Sequence, residues 1–426
     1  MTIRVRTGLM LIAVLATMSL ASCGHYTCGA NFGVSTCTGG PPSLSGGGGS
    51  AAAAFVFVAN GSATGTMVGY TLNTNAAPPT LTFTPNYTAP SIPNNDAGIG
   101  MAVAQKKFLY AAFGSTQQIF GWSISTAGSL TTVGSPLTDL LLPKFNATQF
   151  DTRRVITNPA GTLLFVGDEF SSQVFVYQIG TGGVLTPVAS SPFSVSFPPG
   201  NMTTDGLGNY LYFTDSSSFS HTGSEIAAYS IGSTGGLTAV TGSPFTTSPT
   251  GPSYSMWQVQ GEPTGKYLIG TTGNSAAPGL SGVDDKHLYV FSINQSGAIA
   301  PVTGSPFATT YSPLNIAVQQ SAGGNLVYSF GLADSALSFN PVEGFTLNSS
   351  GTLSTANGSP FLTAAVGTEG QFDQGGSLLF DYGGIFNINS NTVVYTVTSF
   401  DVSAGNLTTA TGTGTYGGYW LVTDAP

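Results

Sequence analysis

Charged side chains are scarce in this chain. Of its 426 residues only 6% are charged, with 9 basic against 18 acidic side chains and a formal net charge of −9. Nucleic acid is therefore excluded as a partner, because neutralising phosphates requires a basic face. Long surface helices are also disfavoured, since their solvent-facing side normally carries Glu, Lys and Arg.

Cysteine, histidine and long apolar runs are rare as well. The chain has three Cys and three His, in no spacing typical of a transition-metal site, so neither a metal nor a cofactor is predicted. After residue 20 no apolar run is long enough to span a bilayer. Gly is abundant, with 58 residues, and Ser and Thr separate short apolar runs. This composition favours many short strands joined by turns.

The N-terminus has the features of a targeting segment. Arg4 and Arg6 form a basic start, and Leu9 to Leu20 form an apolar stretch. The tetrapeptide Leu-Ala-Ser-Cys that ends at Cys23 resembles the lipobox of bacterial lipoproteins. This resemblance implies a signal peptide over residues 1–22 and a lipid on Cys23; with Gly as the next residue, it implies transfer to the outer membrane. The alternative is an ordinary cleaved signal followed by a chance Cys.

Residues 23–54 read as a flexible tether. The segment is rich in Gly, Ser, Pro and Ala and includes the run Gly46 to Gly49. Cys28 and Cys37 lie within it, and the sequence leaves open whether they form a disulfide or stay free. The predicted protein is thus a domain held by its lipid in the cell envelope, on the periplasmic or the surface side.

One stretch recurs along the rest of the chain, residues 55–426. Its clearest copy runs from Gly235 to Phe245 and reads Gly-Gly-Leu-Thr-Ala-Val-Thr-Gly-Ser-Pro-Phe. We expect the Gly-Ser-Pro-Phe part to connect the outermost strand of one repeat to the innermost strand of the next. Steps of about 50 to 60 residues separate seven copies, a period that fits four short strands and their turns. The Leu or Ile that marks each copy is Leu81, Leu130, Leu185, Leu237, Ile299, Leu353 or Leu407.

Each repeat contains four strands, here called A to D in chain order. In strand C of the third repeat, residues 174, 176 and 178 face one way and residues 175, 177 and 179 the other. The B strands are apolar on both faces, so neighbouring repeats must stack face to face. The sequence therefore predicts an all-β protein, a seven-bladed β-propeller with four antiparallel strands per blade.

The two ends of the repeat region complement each other. Phe55 to Asn60 is a B strand with no A strand before it, whereas Gly418 to Thr423 has the pattern of an A strand with no B strand after it. We expect the C-terminal strand to complete the first blade and close the ring, which removes open edges. An open solenoid is the alternative, and the matching half-repeats argue against it.

The repeat also resembles a known family. The order of an Asn-Pro-x-Gly turn at Asn158, a Leu-Tyr-Val B strand, a C strand ending in Tyr-x-Ile, a Gly-x-Leu turn and Gly-Ser-Pro-Phe is similar to the lactonase family of β-propellers, which includes 6-phosphogluconolactonase. The resemblance covers roughly residues 55–424 and implies the opening of a sugar-acid lactone. Family members commonly carry Pro-Arg-His at the entry to an A strand, where this chain has Thr152-Arg153-Arg154 and so lacks the His.

Antiparallel strand order sorts the connections by end. The D–A and B–C connections meet at one end of the ring, the upper end, and the A–B and C–D turns at the other, the lower end. Most charges fall at the upper end, which predicts the face for an unknown small molecule or envelope protein. Lys144, Arg153 and Arg154 are predicted to bind a substrate anion there. Alternatively, the two arginines pair with Asp151 and with Asp168 or Glu169 from the neighbouring loop.

Few residues qualify as a general base. His287 beside Asp284 and Asp285 is one weak candidate, and Glu369 near the seventh A strand is another. A loop His beside acids is more typical of a solvated polar residue. Trp257 on an A strand is predicted to stack on a sugar ring, with packing between blades as the alternative.

Two classes of function follow from these observations. The sparse titratable side chains and the missing family His favour a binding or scaffold lipoprotein. The alternative is a lactone hydrolase, with Arg153 and Arg154 binding the substrate and Glu369 or His287 acting as base.

Overall fold

The computed structural model of the chain describes seventeen ranges of residues: 54–59, 66–73, 80–88, 98–113, 118–138, 155–168, 172–215, 224–249, 254–274, 285–320, 324–331, 341–362, 367–373, 376–387, 392–403, 406–415 and 419–424. The predicted signal peptide, Cys23 and the rest of the predicted tether up to residue 53, with Cys28 and Cys37, lie outside these ranges, whereas Ala54, assigned to the tether from sequence, begins a strand. Within them, no helix is long and apolar enough to cross a membrane.

The described strands form seven antiparallel sheets, numbered I to VII in chain order. Sheet I contains β1 (Ala54–Ala59), β2 (Thr66–Asn73), β3 (Thr80–Thr88) and β33 (Tyr419–Asp424). Sheet II contains β4 (Gly98–Ala104), β5 (Phe108–Phe113), β6 (Gln118–Ile124), β7 (Leu130–Thr132) and β8 (Leu137–Thr138). Sheet III contains β9 (Val155–Thr157), β10 (Leu163–Asp168), β11 (Gln173–Ile179), β12 (Leu185–Pro187) and β13 (Phe193–Ser194).

The other four sheets follow the same order. Sheet IV contains β14 (Pro199–Thr204), β15 (Tyr210–Asp215), β16 (Glu225–Ile231), β17 (Leu237–Ala239) and β18 (Phe245–Thr246). Sheet V contains β19 (Tyr254–Gly261), β20 (Tyr267–Asn274), β21 (His287–Ile293), β22 (Ile299–Pro301) and β23 (Phe307–Ala308). Sheet VI contains β24 (Pro313–Val318), β25 (Leu326–Gly331), β26 (Pro341–Leu347), β27 (Leu353–Thr355) and β28 (Phe361–Leu362). Sheet VII contains β29 (Gly367–Phe372), β30 (Leu378–Asn387), β31 (Thr392–Ser403) and β32 (Asn406–Thr415).

The A strands form a closed ring. Each of β4, β9, β14, β19, β24, β29 and β33 contacts the A strands of the two neighbouring sheets, and β29 contacts β33. In sheet I, β33 pairs antiparallel with β1, with Phe57 opposite Leu421. The C-terminal strand therefore supplies the A strand of the first sheet, and the predicted closure and propeller are confirmed. The seven sheets equal the seven repeats in number.

The core lies between the sheets. Each described core cluster combines residues of two neighbouring sheets, from II with III to VI with VII. On β11, Val174 and Val176 pack toward sheet IV, whereas Phe175, Tyr177 and Ile179 pack toward sheet II. This confirms the alternation predicted for strand C. All six residues of β5 and of β10 are buried, because both faces of a B strand are covered.

The outer strand differs from the prediction. We expected Gly-Ser-Pro-Phe to connect one outer strand to the next inner strand, but its Phe begins a second short strand that pairs with the same C strand. In sheet IV both β17 and β18 pair with β16, and Phe245 lies opposite Ile226. Sheets II to VI thus have two short strands in the outer position.

The motif residues fill the gap between these two short strands. The Ser243 hydroxyl accepts a hydrogen bond from the Ala228 N–H at 2.9 Å, which supplies the partner that the interrupted strand lacks. Gly242 has a φ of 89°, a conformation that glycine adopts at little cost. Four of these Ser-Pro bonds are cis: Ser191-Pro192, Ser243-Pro244, Ser305-Pro306 and Ser359-Pro360.

Candidate functional site

The candidate site lies at the upper end of sheet V, beside its seam with sheet IV. Met256 of β19 and Tyr289 of β21 belong to one core cluster with Tyr212 and Ile226 of sheet IV, so this face of sheet V is turned toward sheet IV. Asp285 lies two residues before His287, which begins β21. The site is therefore built where the chain enters strand C.

Asp285 is the centre of a side-chain hydrogen-bond cluster. Its side chain has no exposed surface, whereas the His287 side chain is 32% exposed. Asp285 Oδ1 lies 2.8 Å from His287 Nδ1. Asp285 Oδ2 accepts hydrogen bonds from Thr272 Oγ1 at 2.5 Å and from the Tyr289 hydroxyl at 2.8 Å. Both oxygens of this buried carboxyl group therefore have hydrogen-bonding partners.

This arrangement can carry out proton transfer. In the tautomer that carries its hydrogen on Nδ1, His287 donates to Asp285 Oδ1, and Nε2 keeps its lone pair. A buried Asp that orients an imidazole in this way is the arrangement by which general bases are held in many hydrolases. The sequence named His287 as a weak candidate base, with a solvated polar residue as the more typical alternative; the structure shows a buried, hydrogen-bonded Asp285 and a partly exposed His287. Asp284 lies outside the described residues.

Backbone contacts fix the segment that carries the pair. The Thr309 N–H donates to the carbonyl of Lys286, the residue between Asp285 and His287, at 2.8 Å. The next two amides, those of Thr310 and Tyr311, donate to the carboxylate of Glu343 at 2.9 to 3.1 Å. Glu343 belongs to β26 of sheet VI and is buried. The loop beside the Asp285–His287 pair is thus anchored to the neighbouring sheet.

The sheet IV side of the seam is also hydrogen-bonded. Ser224 Oγ accepts from the Met256 N–H at 2.7 Å and from Thr247 Oγ1 at 2.7 Å. The hydroxyl of Thr214 donates to the carbonyl of Trp257 at 3.2 Å. These contacts hold the A strand of sheet V against the top of sheet IV, which gives the site a fixed wall.

Two buried acids at the lower end have a different environment. Asp205 Oδ1 accepts from the backbone N–H groups of Asn209 and Tyr210 at 2.7 and 2.8 Å, and Glu262 accepts from Thr264, Lys266 and Tyr267 in its own turn. Burial raises the pKa of Asp205, and the backbone hydrogen bonds oppose this effect. These acids stabilise A–B turns.

Trp257 occupies a bulge in strand A of sheet V. The register of β19 and β20 shifts between Met256, opposite Thr272, and Gln258, opposite Thr271, so Trp257 is the extra residue. Its side chain is half-buried. Bulges redirect side chains and often lie beside functional sites. Trp257 lies on the strand next to β20, which carries Thr272. A role of Trp257 in stacking on a sugar ring stays a prediction.

Glu369 is equivalent to Gln258 by register. Each is the first residue after the bulge in its A strand, Glu369 opposite Tyr382 and Gln258 opposite Thr271. The Gln258 amide bonds the next A strand, accepting from the Ile316 N–H at 2.5 Å and donating to its carbonyl at 3.4 Å. The equivalence makes a structural role at the ring a competing explanation for Glu369, whose proposed role as base stays a prediction.

The predicted anion-binding residues cannot be compared with this site. Lys144, Arg153 and Arg154 lie outside the described residues, as does Asp151. In the described part of the chain, no three His, Cys, Asp or Glu side chains form a group that could hold a metal ion.

Sequence reasoning missed Thr272 and Tyr289. Both belong to strands that look like ordinary blade strands, and their role depends on contact with Asp285 across the sheet. One signal was available: Tyr289 brings a hydroxyl to a position where the C strands of sheets II and III have Phe120 and Phe175.

The fold and this geometry can be compared with known proteins. No family model matches the chain, and no curated protein matches it by sequence. Solved β-propeller structures do match. The structures described next are less than 25% identical to this chain, so the similarity establishes the fold alone, which is that of a β-propeller.

Three of these structures carry lactonase names. A candidate 6-phosphogluconolactonase from Bacteroides uniformis matches with a TM-score of 0.60 and 16% identity, covering 88% of this chain and 100% of that one. A second, from Bacteroides fragilis, has a TM-score of 0.60 and 14% identity over 87% of this chain and 98% of its own. The periplasmic gluconolactonase of Pseudomonas aeruginosa matches with a TM-score of 0.55 and 14% identity, over 88% and 99% of the two chains.

Proposed function

We propose that the chain is a lactone hydrolase that opens the ring ester of a sugar acid. The observation that carries the proposal is the buried Asp285 bonded to the partly exposed His287 at the upper end of the ring. Structural neighbours named as gluconolactonases support the same class of reaction. They favour the hydrolase over the binding or scaffold module, which stays a prediction.

The proposed reaction needs one base and one water molecule. His287 Nε2 accepts a proton from water as the water oxygen bonds to the lactone carbonyl carbon. The ring C–O bond then breaks, and the proton on His287 passes to the leaving oxygen. The product is an open-chain hydroxy acid, which releases a proton to solvent. Lys144, Arg153 and Arg154 remain the predicted ligands of a substrate anion.

The test is hydrolysis of gluconolactone by the purified full chain in a pH-stat. We expect a rate that is proportional to protein concentration, exceeds the spontaneous rate and is lost in His287→Asn. Arg153→Ala is assayed beside it with 6-phosphogluconolactone, whose phosphate is an anion, and is expected to raise KM for that substrate while leaving KM for the uncharged gluconolactone unchanged. A rate equal to the spontaneous one, or a His287→Asn variant as active as the natural protein, would contradict the proposal.

We further propose a location in the cell envelope through a lipid on Cys23. The lipobox-like tetrapeptide motivates the anchor, and the periplasmic location named for the Pseudomonas protein agrees with an envelope compartment. In cells fed a labelled fatty acid, the chain should take up label, and Cys23→Ser should abolish it. Label in the Cys23→Ser variant equal to that in the natural chain would refute the anchor.

A further inference from the structure

The shared register of the sheets allows positions to be compared between blades. His287 is the first residue of its C strand and pairs with the second residue of the short outer strand β23. In sheets II, III, IV and VI, the first residue of the C strand likewise pairs with the second residue of a two-residue outer strand. The residues equivalent to His287 are therefore Gln118, Gln173, Glu225 and Pro341. Two positions further along, the residues equivalent to Tyr289 are Phe120, Phe175, Ala227 and Glu343.

Tyr289 differs from two of its equivalents by one hydroxyl group. Phe120 and Phe175 are as deeply buried as Tyr289, so an aromatic ring fits this position in the fold without the hydroxyl. Burying a hydroxyl is unfavourable unless it is hydrogen-bonded, and that of Tyr289 donates to Asp285. Compared with sheets II and III, sheet V thus adds one hydroxyl group at this position, and that hydroxyl donates a hydrogen bond to Asp285.

Thr272 supplies a second hydroxyl to the same oxygen. Both hydroxyls donate to Oδ2, and Oδ1 faces His287 Nδ1. Two donors on one oxygen fix the orientation of the carboxylate and leave Oδ1 to accept a hydrogen bond from Nδ1–H. The tautomer of His287 is then set by two buried hydroxyl groups, those of Thr272 and Tyr289.

We propose that Tyr289 and Thr272 are positioning residues that hold Asp285 so that His287 is kept as the Nδ1–H tautomer with Nε2 free to accept a proton. The inference rests on the proposed function for its consequence in catalysis. Neither residue touches the reacting atoms; each acts through Asp285. Free histidine prefers the opposite tautomer, with the hydrogen on Nε2, so the cluster must reverse that preference.

The test reads the tautomer directly. The full chain is labelled with 15N-histidine, and the imidazole nitrogen shifts are recorded at a pH at which His287 is neutral. With three His in the chain, His287→Asn identifies the signal by its loss. We expect Nδ1–H in the natural protein and a mixture of tautomers in Tyr289→Phe and in Thr272→Val. In each variant kcat should fall about tenfold with KM unchanged, because orientation of the base is lost and substrate binding is kept.

Tyr212→Phe is the matched control. Tyr212 lies in the same core cluster, and its buried hydroxyl donates to the Gly297 carbonyl at 2.9 Å, far from Asp285. This variant should lose stability without changing the His287 tautomer. The inference is overturned if the natural protein has Nε2–H, or if Tyr289→Phe and Thr272→Val leave the tautomer unchanged. If the tautomer responds as expected and no lactone is hydrolysed, the positioning role holds and the proposed function alone fails.

Discussion

Two buried carboxylates at opposite ends of sheet V differ in what donates to them. Glu262, at the lower end, accepts hydrogen bonds from Thr264, Lys266 and Tyr267, all within its own turn. Asp285, at the upper end, accepts from the side chains of Thr272 and Tyr289 and pairs with His287. Both acids are buried, so burial alone does not distinguish a structural acid from a functional one.

The origin of the donors does distinguish them. The contacts of Glu262 recur in other blades: Asn158 Oδ1 accepts from the N–H groups of Thr162 and Leu163, and Asp205 does the same in sheet IV. They belong to the repeated turn. Asp285 instead accepts hydrogen bonds from the side chains of Thr272 and Tyr289, and Tyr289 stands where sheets II and III have Phe120 and Phe175. Catalysis should therefore depend on the contacts around Asp285 at the upper end, and stability on the contacts around Glu262 at the lower end.

The largest effect is expected from changing Asp285 at the upper end of sheet V. Asp285→Asn removes the charge that orients His287, and kcat/KM for gluconolactone should fall about a thousandfold. The measurement is the initial rate in a pH-stat, with far-UV circular dichroism to show that the sheets are retained. Activity within a few-fold of the natural protein would assign Asp285 to structure, as Glu262 is.

The second effect concerns stability alone. Glu262→Ala leaves the N–H groups of Thr264, Lys266 and Tyr267 without their acceptor in a partly exposed turn and should lower the free energy of unfolding by about 2 kcal/mol. Chemical denaturation measures it, and kcat/KM of the folded fraction should stay unchanged. E262N is the matched variant, because Asn158 fills this position in sheet III; its loss should be nearer 1 kcal/mol. A large fall in kcat/KM in Glu262→Ala would remove the distinction between the two ends.

The third effect tests the interrupted outer strand. Ser243→Ala leaves the Ala228 N–H without its acceptor, and we expect a loss of about 1.5 kcal/mol in unfolding free energy. Ser230→Ala is the control, since its hydroxyl bonds the Thr238 carbonyl at an exposed position, where loss of the bond leaves the carbonyl to water. Equal losses in the two variants would show that the Ser of the motif does not complete the strand.

Much of this fold could be predicted from sequence because the repeat presents each signal several times. Strand order, the alternation on β11 and the pairing of β33 with β1 all follow from comparing copies. The second outer strand could not be predicted, because β18 is two residues long and gives no alternating pattern. Its pairing depends on the Ser243 hydroxyl, which is a tertiary contact.

Less of the site could be predicted. The sequence indicated His287 and its acidic neighbours, since proton transfer needs those residue types. It could not indicate that Asp285 is buried, because Asp284-Asp285-Lys286-His287 is polar throughout and such a run is usually solvated. Burial comes from Thr272 and Tyr289, which reach Asp285 from two different strands. Comparing Tyr289 with Phe120 and Phe175 would have given the one sequence signal for this contact.

The smallest effect concerns pH and the lower end. Burial raises the pKa of Asp205 above its ordinary value of 3.8, so the folded protein holds this proton more tightly than the unfolded chain does. Asp205 therefore favours folding most below pH 3.8, and this contribution is lost as the pH rises through the folded pKa. Asp205→Asn keeps the oxygen that accepts from Asn209 and Tyr210 but has no proton to lose.

The stability of Asp205→Asn relative to the natural protein should consequently increase as the pH rises from acid to neutral, and unfolding free energies at several pH values measure it. Asn158 in sheet III supports the substitution, because its Oδ1 makes the same two turn contacts without a charge. A difference that stays constant with pH would mean that the turn amides offset the cost of burying the charge. Asp205 would then be as well satisfied by its hydrogen bonds from Asn209 and Tyr210 as Asp285 is by those from Thr272 and Tyr289.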